Sequence, residues 1–141
     1  MGYSANSSFG YGVELDRFAG NNIEAYLEEH DPQYIKMGEA WWYYLQEVKF
    51  ADIKGFQLHS DGVDYRFHAP VPDGMNFYIG VSLWGSTEAL LKEAFIRKLV
   101  VPAETIAKWE RLLAFLQECG IEGDAKGNHL EPSFFSYTYT S

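Results

Sequence analysis

The clearest periodic signal in the chain surrounds Asp61-Gly62. Phe56, Leu58, Val63, Tyr65 and Phe67 alternate with polar residues on either side of this dipeptide, which suits a two-residue type I′ turn. The period of two predicts a hairpin that sets His59 opposite Asp64 and Leu58 opposite Tyr65. One face of that hairpin is wholly apolar, and the other carries Gln57, His59, Asp64, Arg66 and His68. A slip of one residue would exchange the two faces, so the pattern pins the register. Two more segments share the period: Phe9, Tyr11, Val13 and Leu15 alternate with Gly10, Gly12 and Glu14, and Phe77, Ile79, Val81 and Leu83 with Tyr78, Gly80, Ser82 and Trp84. Phe135, Tyr137 and Tyr139 predict a last, aromatic strand. Gly10 and Gly12 flatten one side of the first strand, which permits close approach of a helix, a neighbouring backbone or a ligand.

Between these strands the period lengthens to that of a helix. Asn21 is the expected N-cap of the first, with Glu24 completing a capping box, Ile23, Tyr26 and Leu27 forming the apolar stripe, and Pro32 marking the end. Ser86 is expected to cap a second helix running to about Val100, with Leu90, Leu91, Ala94, Phe95 and Leu99 inward. Pro102 opens a third, lined by Ile106, Trp109, Leu112, Leu113 and Leu116 and closed by Gly120. Residues 33–51 read two ways. Trp41-Trp42-Tyr43-Tyr44-Leu45 favours extended structure up to about Tyr44 by propensity, whereas Tyr44, Val48 and Ala51 have helical spacing. Strands and helices are segregated and no βαβαβ rhythm appears. The expected fold is therefore α+β: one domain over 1–141, with an antiparallel or mixed sheet of about five strands and about three helices packed mainly on one face.

Composition changes this picture in two respects. Aromatic residues make up 17% of the 141-residue chain, more flat side chains than a minimal core requires. In an extended segment Trp41, Trp42, Tyr43 and Tyr44 would send rings to both faces. One set would be core; the other would lie beneath a helix or loop, anchor a partner, or stack on a planar ligand with Arg66 supplying charge. Net charge is −9, and residues 1–31 hold six acids against one base, Arg17. That balance argues against nucleic-acid binding, which draws on Lys and Arg. It suits solubility, or an acidic face that competes for a basic site on another protein. Cys119 is the only cysteine, so no disulfide can form within the chain. The first residues lack the basic and apolar regions of a signal peptide, and no apolar run approaches the ~20 residues needed to cross a bilayer. A cytoplasmic protein with no membrane association is expected.

Candidate chemistry is sparse. His59 opposite Asp64, flanked by Arg66 and His68, could form an oriented base or part of a metal site. No nucleophile stands beside them, two histidines supply at most half of a zinc shell, and a solvated sheet face explains the same residues. Phe9-Gly10-Tyr11-Gly12 lacks the third glycine and the following helix of a phosphate loop. Gly80-Val81-Ser82-Leu83-Trp84 lacks the last glycine of a nucleophile elbow. Cys119, at a helix C-terminus, lies where the dipole disfavours a thiolate. No catalytic residue, metal site or cofactor is expected.

The strand Phe9-Gly-Tyr-Gly-Val-Glu-Leu15, the strand Phe77-Tyr-Ile-Gly-Val81, Cys119-Gly-Ile121 and the closing Ser133-Phe-Phe-Ser-Tyr-Thr-Tyr139 together resemble small acidic α+β proteins of bacteriophage genomes. The resemblance implies an accessory protein acting on a host component, including host defence, and assigns no site residues. The leading expectation is a non-catalytic protein that binds a macromolecular partner, with a basic surface on that partner, through aromatic and acidic residues including Trp41, Trp42, Tyr43 and Tyr44. A phage-encoded inhibitor would be one form of it, and a homo-oligomer is compatible with it. The alternatives are a binder of a small planar, nucleotide-like ligand and a small enzyme using His59, Asp64 and His68.

Overall fold

The computed structural model describes residues 5–60, 63–64, 76–82 and 101–140. In chain order these form β1 (Ala5–Leu15), α1 (Ala19–His30), α2 (Pro32–Met37), α3 (Trp41–Tyr44), a π-helical turn (Leu45–Lys49), β2 (Phe56–Ser60), β3 (Val63–Asp64), β4 (Phe77–Ser82), α4 (Ala103–Glu118) and β5 (Ser133–Thr140). The strands make one sheet in the order β3-β2-β4-β1-β5, and every pairing is antiparallel. Four strands are long, and β3 is a two-residue edge. The expected α+β architecture is present, and the choice between an antiparallel and a mixed sheet falls to antiparallel. Leu83 to Val100, which includes the expected second helix, lies outside the described residues, as do Tyr65 and Phe67.

Strand alternation decides which side of the sheet becomes core. Val13 and Leu15 of β1, Leu58 of β2 and Phe77, Ile79 and Val81 of β4 are buried in a single cluster. Ile23 and Leu27 of α1, Trp41 and Tyr44 of α3, and Trp109, Leu112, Phe115 and Leu116 of α4 join the same cluster, so the described helices share one face of the sheet. Each such side chain removed from water stabilises the fold by roughly 1.5–3 kcal/mol.

Three expectations are corrected. First, α1 begins at Ala19 rather than after Asn21. The Asp16 carboxylate accepts the Phe18 N–H at 2.8 Å and the Asp16 carbonyl accepts the Ala19 N–H at 2.9 Å, so a turn anchored upstream replaces the capping box. Second, residues 32–37 and 41–49 are helical, not extended. Asp31 caps α2 by accepting the Tyr34 N–H at 3.2 Å, Pro32 occupies its first turn, and Gly38 ends it in the left-handed region at φ 65°. A helical turn then places Trp41, Tyr44 and Leu45 inward and leaves Trp42 and Tyr43 half-buried, a division that a strand would not make. Tertiary burial thus overrides the β-propensity of the aromatic run. Third, the buried stripe of α4 is Thr105, Trp109, Leu112, Phe115 and Leu116, while Ile106 is exposed. Phe115 turns inward because Phe50 and Tyr26 both pack on its ring, at 5.3 and 5.7 Å between centroids.

Candidate functional site

The four consecutive aromatics separate into two pairs. Trp41 is buried, packs on Phe77 at 5.5 Å between ring centroids, and lies 3.0 Å from where a Cβ on Gly20 would stand. Tyr44 is 2% exposed, and its hydroxyl donates to the Asp31 carboxylate at 2.8 Å. Burial, reinforced by that hydrogen bond, pushes the Tyr44 phenol up to about 12. These two rings belong to the core and present no surface to a partner. Trp42 and Tyr43 remain half-buried and meet edge to face at 6.3 Å.

The hairpin register is as expected: His59 pairs with Asp64 and Ser60 with Val63. Arg66 and His68 lie outside the described residues, so the polar constellation stands as two paired backbone positions, His59 and Asp64. Gln57, expected on the same polar face, is buried rather than solvated. The reason lies across the sheet. Gln57 pairs with Gly80, Gly80 with Gly12 and Gly12 with Ser133, so two adjacent strands lack side chains along one row. The Gln57 amide reaches over Gly10, where a Cβ would collide with it and with the Phe135 ring. At Gly12 a Cβ would strike the Ile79 carbonyl oxygen, and at Gly80 it would come 2.6 Å from the Tyr11 carbonyl oxygen. The glycines therefore allow β1 and β4 to approach closely, one of the roles their sequence pattern permits.

Beside this row, Tyr78 of β4 and Phe135 of β5 stack across β1 at 5.0 Å between centroids and 27° between planes. They form one wall of a cleft of about 220 Å³ whose rim carries Glu14, Asp124, Lys126 and Glu131. The rim is tied by hydrogen bonds: Asp124 accepts the N–H groups of Lys126 and Asn128 at 2.9 and 3.0 Å, and the Ala125 N–H donates to the Glu14 carbonyl at 2.9 Å.

Charge is segregated on the helical side. Residues 19–44 hold Glu24, Glu28, Glu29, Asp31 and Glu39 against one base, Lys36. Tyr34 of α2 feels both Glu24 and Glu28, and its phenol is raised first by burial and then by these carboxylates. Immediately beyond Tyr34, Ile35 is 59% and Met37 41% exposed. Three bases elsewhere, Arg111, Lys108 and Lys49, hold α4. Arg111 pairs with Asp52 at 2.6 Å and lies over Phe50, Lys108 donates to the Lys54 carbonyl at 3.1 Å and pairs with Glu104, and Lys49 lies over Phe115. The exposure of Ile35 and Met37 was not anticipated. The capping sequence Asp31-Pro32 followed by Gly38 was the available signal that these residues sit on a short, isolated helical turn.

The weaker motifs resolve into structure. Phe9 to Gly12 lies inside β1, and Ser82 ends β4 with its N–H donating to the Gly55 carbonyl at 2.7 Å. Cys119 is half-buried at the end of α4, and burial, with the Glu118 charge, pushes its thiol up to about 12. Among the described residues no group of three or more His, Cys, Asp or Glu could hold a metal ion, and no helix is long and apolar enough to cross a membrane. Comparison with protein-family models, curated proteins and solved structures finds no match for the chain.

Proposed function

We propose that this is a non-catalytic binding protein that engages a macromolecular partner bearing a basic surface, through the corner formed by α1, α2 and α3. The observation that carries the reading is the exposure of Ile35 and Met37 on the helix whose Tyr34 feels the Glu24 and Glu28 carboxylates. Apolar side chains supply the desolvated centre that gives an interface its affinity, and surrounding carboxylates steer and orient a basic partner. Trp42 and Tyr43, half-buried on the next helix, take the anchoring role first expected of all four aromatics. Inhibition of a host component is the form of binding that the phage-type resemblance suggests.

The test is crosslinking capture from host lysate, with wild type compared against Ile35→Asp and against Glu24→Lys/Glu28→Lys. A specific partner captured by wild type and lost from both variants, with circular dichroism unchanged, supports the corner. Equal capture by all three proteins removes it. The cleft beside Tyr78 and Phe135 favours a second reading, capture of a small ligand. Flat calorimetric titrations with common cyclic and dinucleotides would count against that reading.

A further inference from the structure

Sulfur stands at two described positions, Met37 and Cys119, and the fold treats them oppositely. Cys119 is half-buried at the end of α4. Burial pushes its thiol up to about 12, which withholds the reactive thiolate from oxidants at neutral pH. Met37, the last residue of α2, is 41% exposed. Gly38 follows it in the left-handed region, and a Cβ there would meet nothing within 4 Å, so this end of α2 is open to a small reagent. A thioether has no proton to lose, so access rather than acidity governs its oxidation. Residues 19–44 hold five acids against one base, a balance that repels anionic oxidants and leaves a neutral peroxide unhindered.

We propose that Met37 is a site of oxidation by hydrogen peroxide, and that its sulfoxide releases the partner bound at the corner of α1, α2 and α3. The sulfur attacks one peroxide oxygen: an S–O bond forms, the O–O bond breaks, and the second oxygen leaves as water with both protons. Sulfur gives up two electrons and the peroxide takes them. The product replaces an apolar thioether, on the same short helix as the exposed Ile35, with a strongly polar S=O group. In the desolvated centre of an interface that oxygen forfeits its hydrogen bonds to water, and the apolar contact that the thioether supplied is lost. This inference rests on the corner as the docking surface and adds the regulation of that surface.

The test treats the full chain with hydrogen peroxide at neutral pH and locates added oxygen by peptide mass, since Met1 and Met75 lie outside the described residues. Met37 should gain one oxygen while Cys119 stays a thiol. Treatment should weaken binding of the protein captured by untreated wild type about tenfold or more, and methionine sulfoxide reductase should restore it. In Met37→Leu, whatever its own affinity, peroxide should change binding no further. Met37 left unoxidised under peroxide that oxidises free methionine overturns the proposal. So does a partner held equally by oxidised and reduced wild type, an outcome that leaves the corner intact. Untreated wild type that captures nothing removes the corner and its regulation together.

Discussion

The two faces of the sheet solve opposite packing problems. On the helical face, Leu58, Ile79, Val81, Val13 and Leu15 meet Ile23, Leu27, Leu112 and Leu116, and stability comes from large apolar side chains filling the space between layers. On the other face the central row is Gly80 and Gly12, and the surrounding side chains lie down rather than stand up: Gln57 over Gly10, and Tyr78 stacked on Phe135 across β1. The first face is intolerant of lost volume and the second of added volume. Burial alone does not distinguish them, since Gln57 is as inaccessible as the core residues Tyr34 and Trp41. The difference lies in which atoms do the covering.

Opposite substitutions should break the two faces. Gly12→Val is expected to have the largest effect, because a Cβ there meets backbone, which cannot swing aside as a side chain can. Overpacking against the Ile79 carbonyl should cost about 3 kcal/mol or more in urea denaturation. A variant with an unchanged midpoint would show that β1 and β4 separate easily. On the helical face, Leu112→Ala removes a fully buried side chain and should cost about 2–5 kcal/mol, the spread reflecting how far α4 can collapse onto Val81 and Ile79. Tyr44→Phe sharpens the comparison by keeping volume and removing one hydrogen bond, with an expected cost of about 1–2 kcal/mol at neutral pH.

That last variant has a pH signature. The folded Tyr44 phenol titrates near 12, against about 10 in the unfolded chain. Above pH 10 the unfolded state gives up this proton while the folded state holds it. The unfolded state then binds fewer protons, and stability falls as pH rises from 10 towards 12. Wild type should lose stability over that window more steeply than Tyr44→Phe, and parallel curves would show that neither burial nor the Asp31 contact raises the Tyr44 phenol in the folded chain.

The strands were legible in the chain because a period of two needs few residues to declare itself. The pairing of His59 with Asp64, the inward Val13 and Leu15, and the left-handed Gly120 that ends α4 at φ 80° all follow from local pattern. The aromatic run at Trp41 to Tyr44 misled because each residue on its own prefers a strand. The distant Phe77 and Gly20, which receive Trp41, help to make the helical turn favourable, and neither is a local signal. The same holds for the candidate surfaces. Acidic crowding in α1 could be read directly. The cleft beside Tyr78 and Phe135 depends on strand order, because those residues are neighbours only when β1 lies between β4 and β5.

Cys119 has a practical consequence for measuring any of this. A thiol held near 12 stays protonated at neutral pH, and protonated thiols react slowly with maleimides and disulfide probes. Since it is the chain's one cysteine, a new cysteine placed on an exposed position such as Ile35 would be the only fast-reacting group in the molecule. Fluorophores or spin labels can therefore be installed at single chosen sites in the otherwise unaltered protein, with the native thiol left as a silent background.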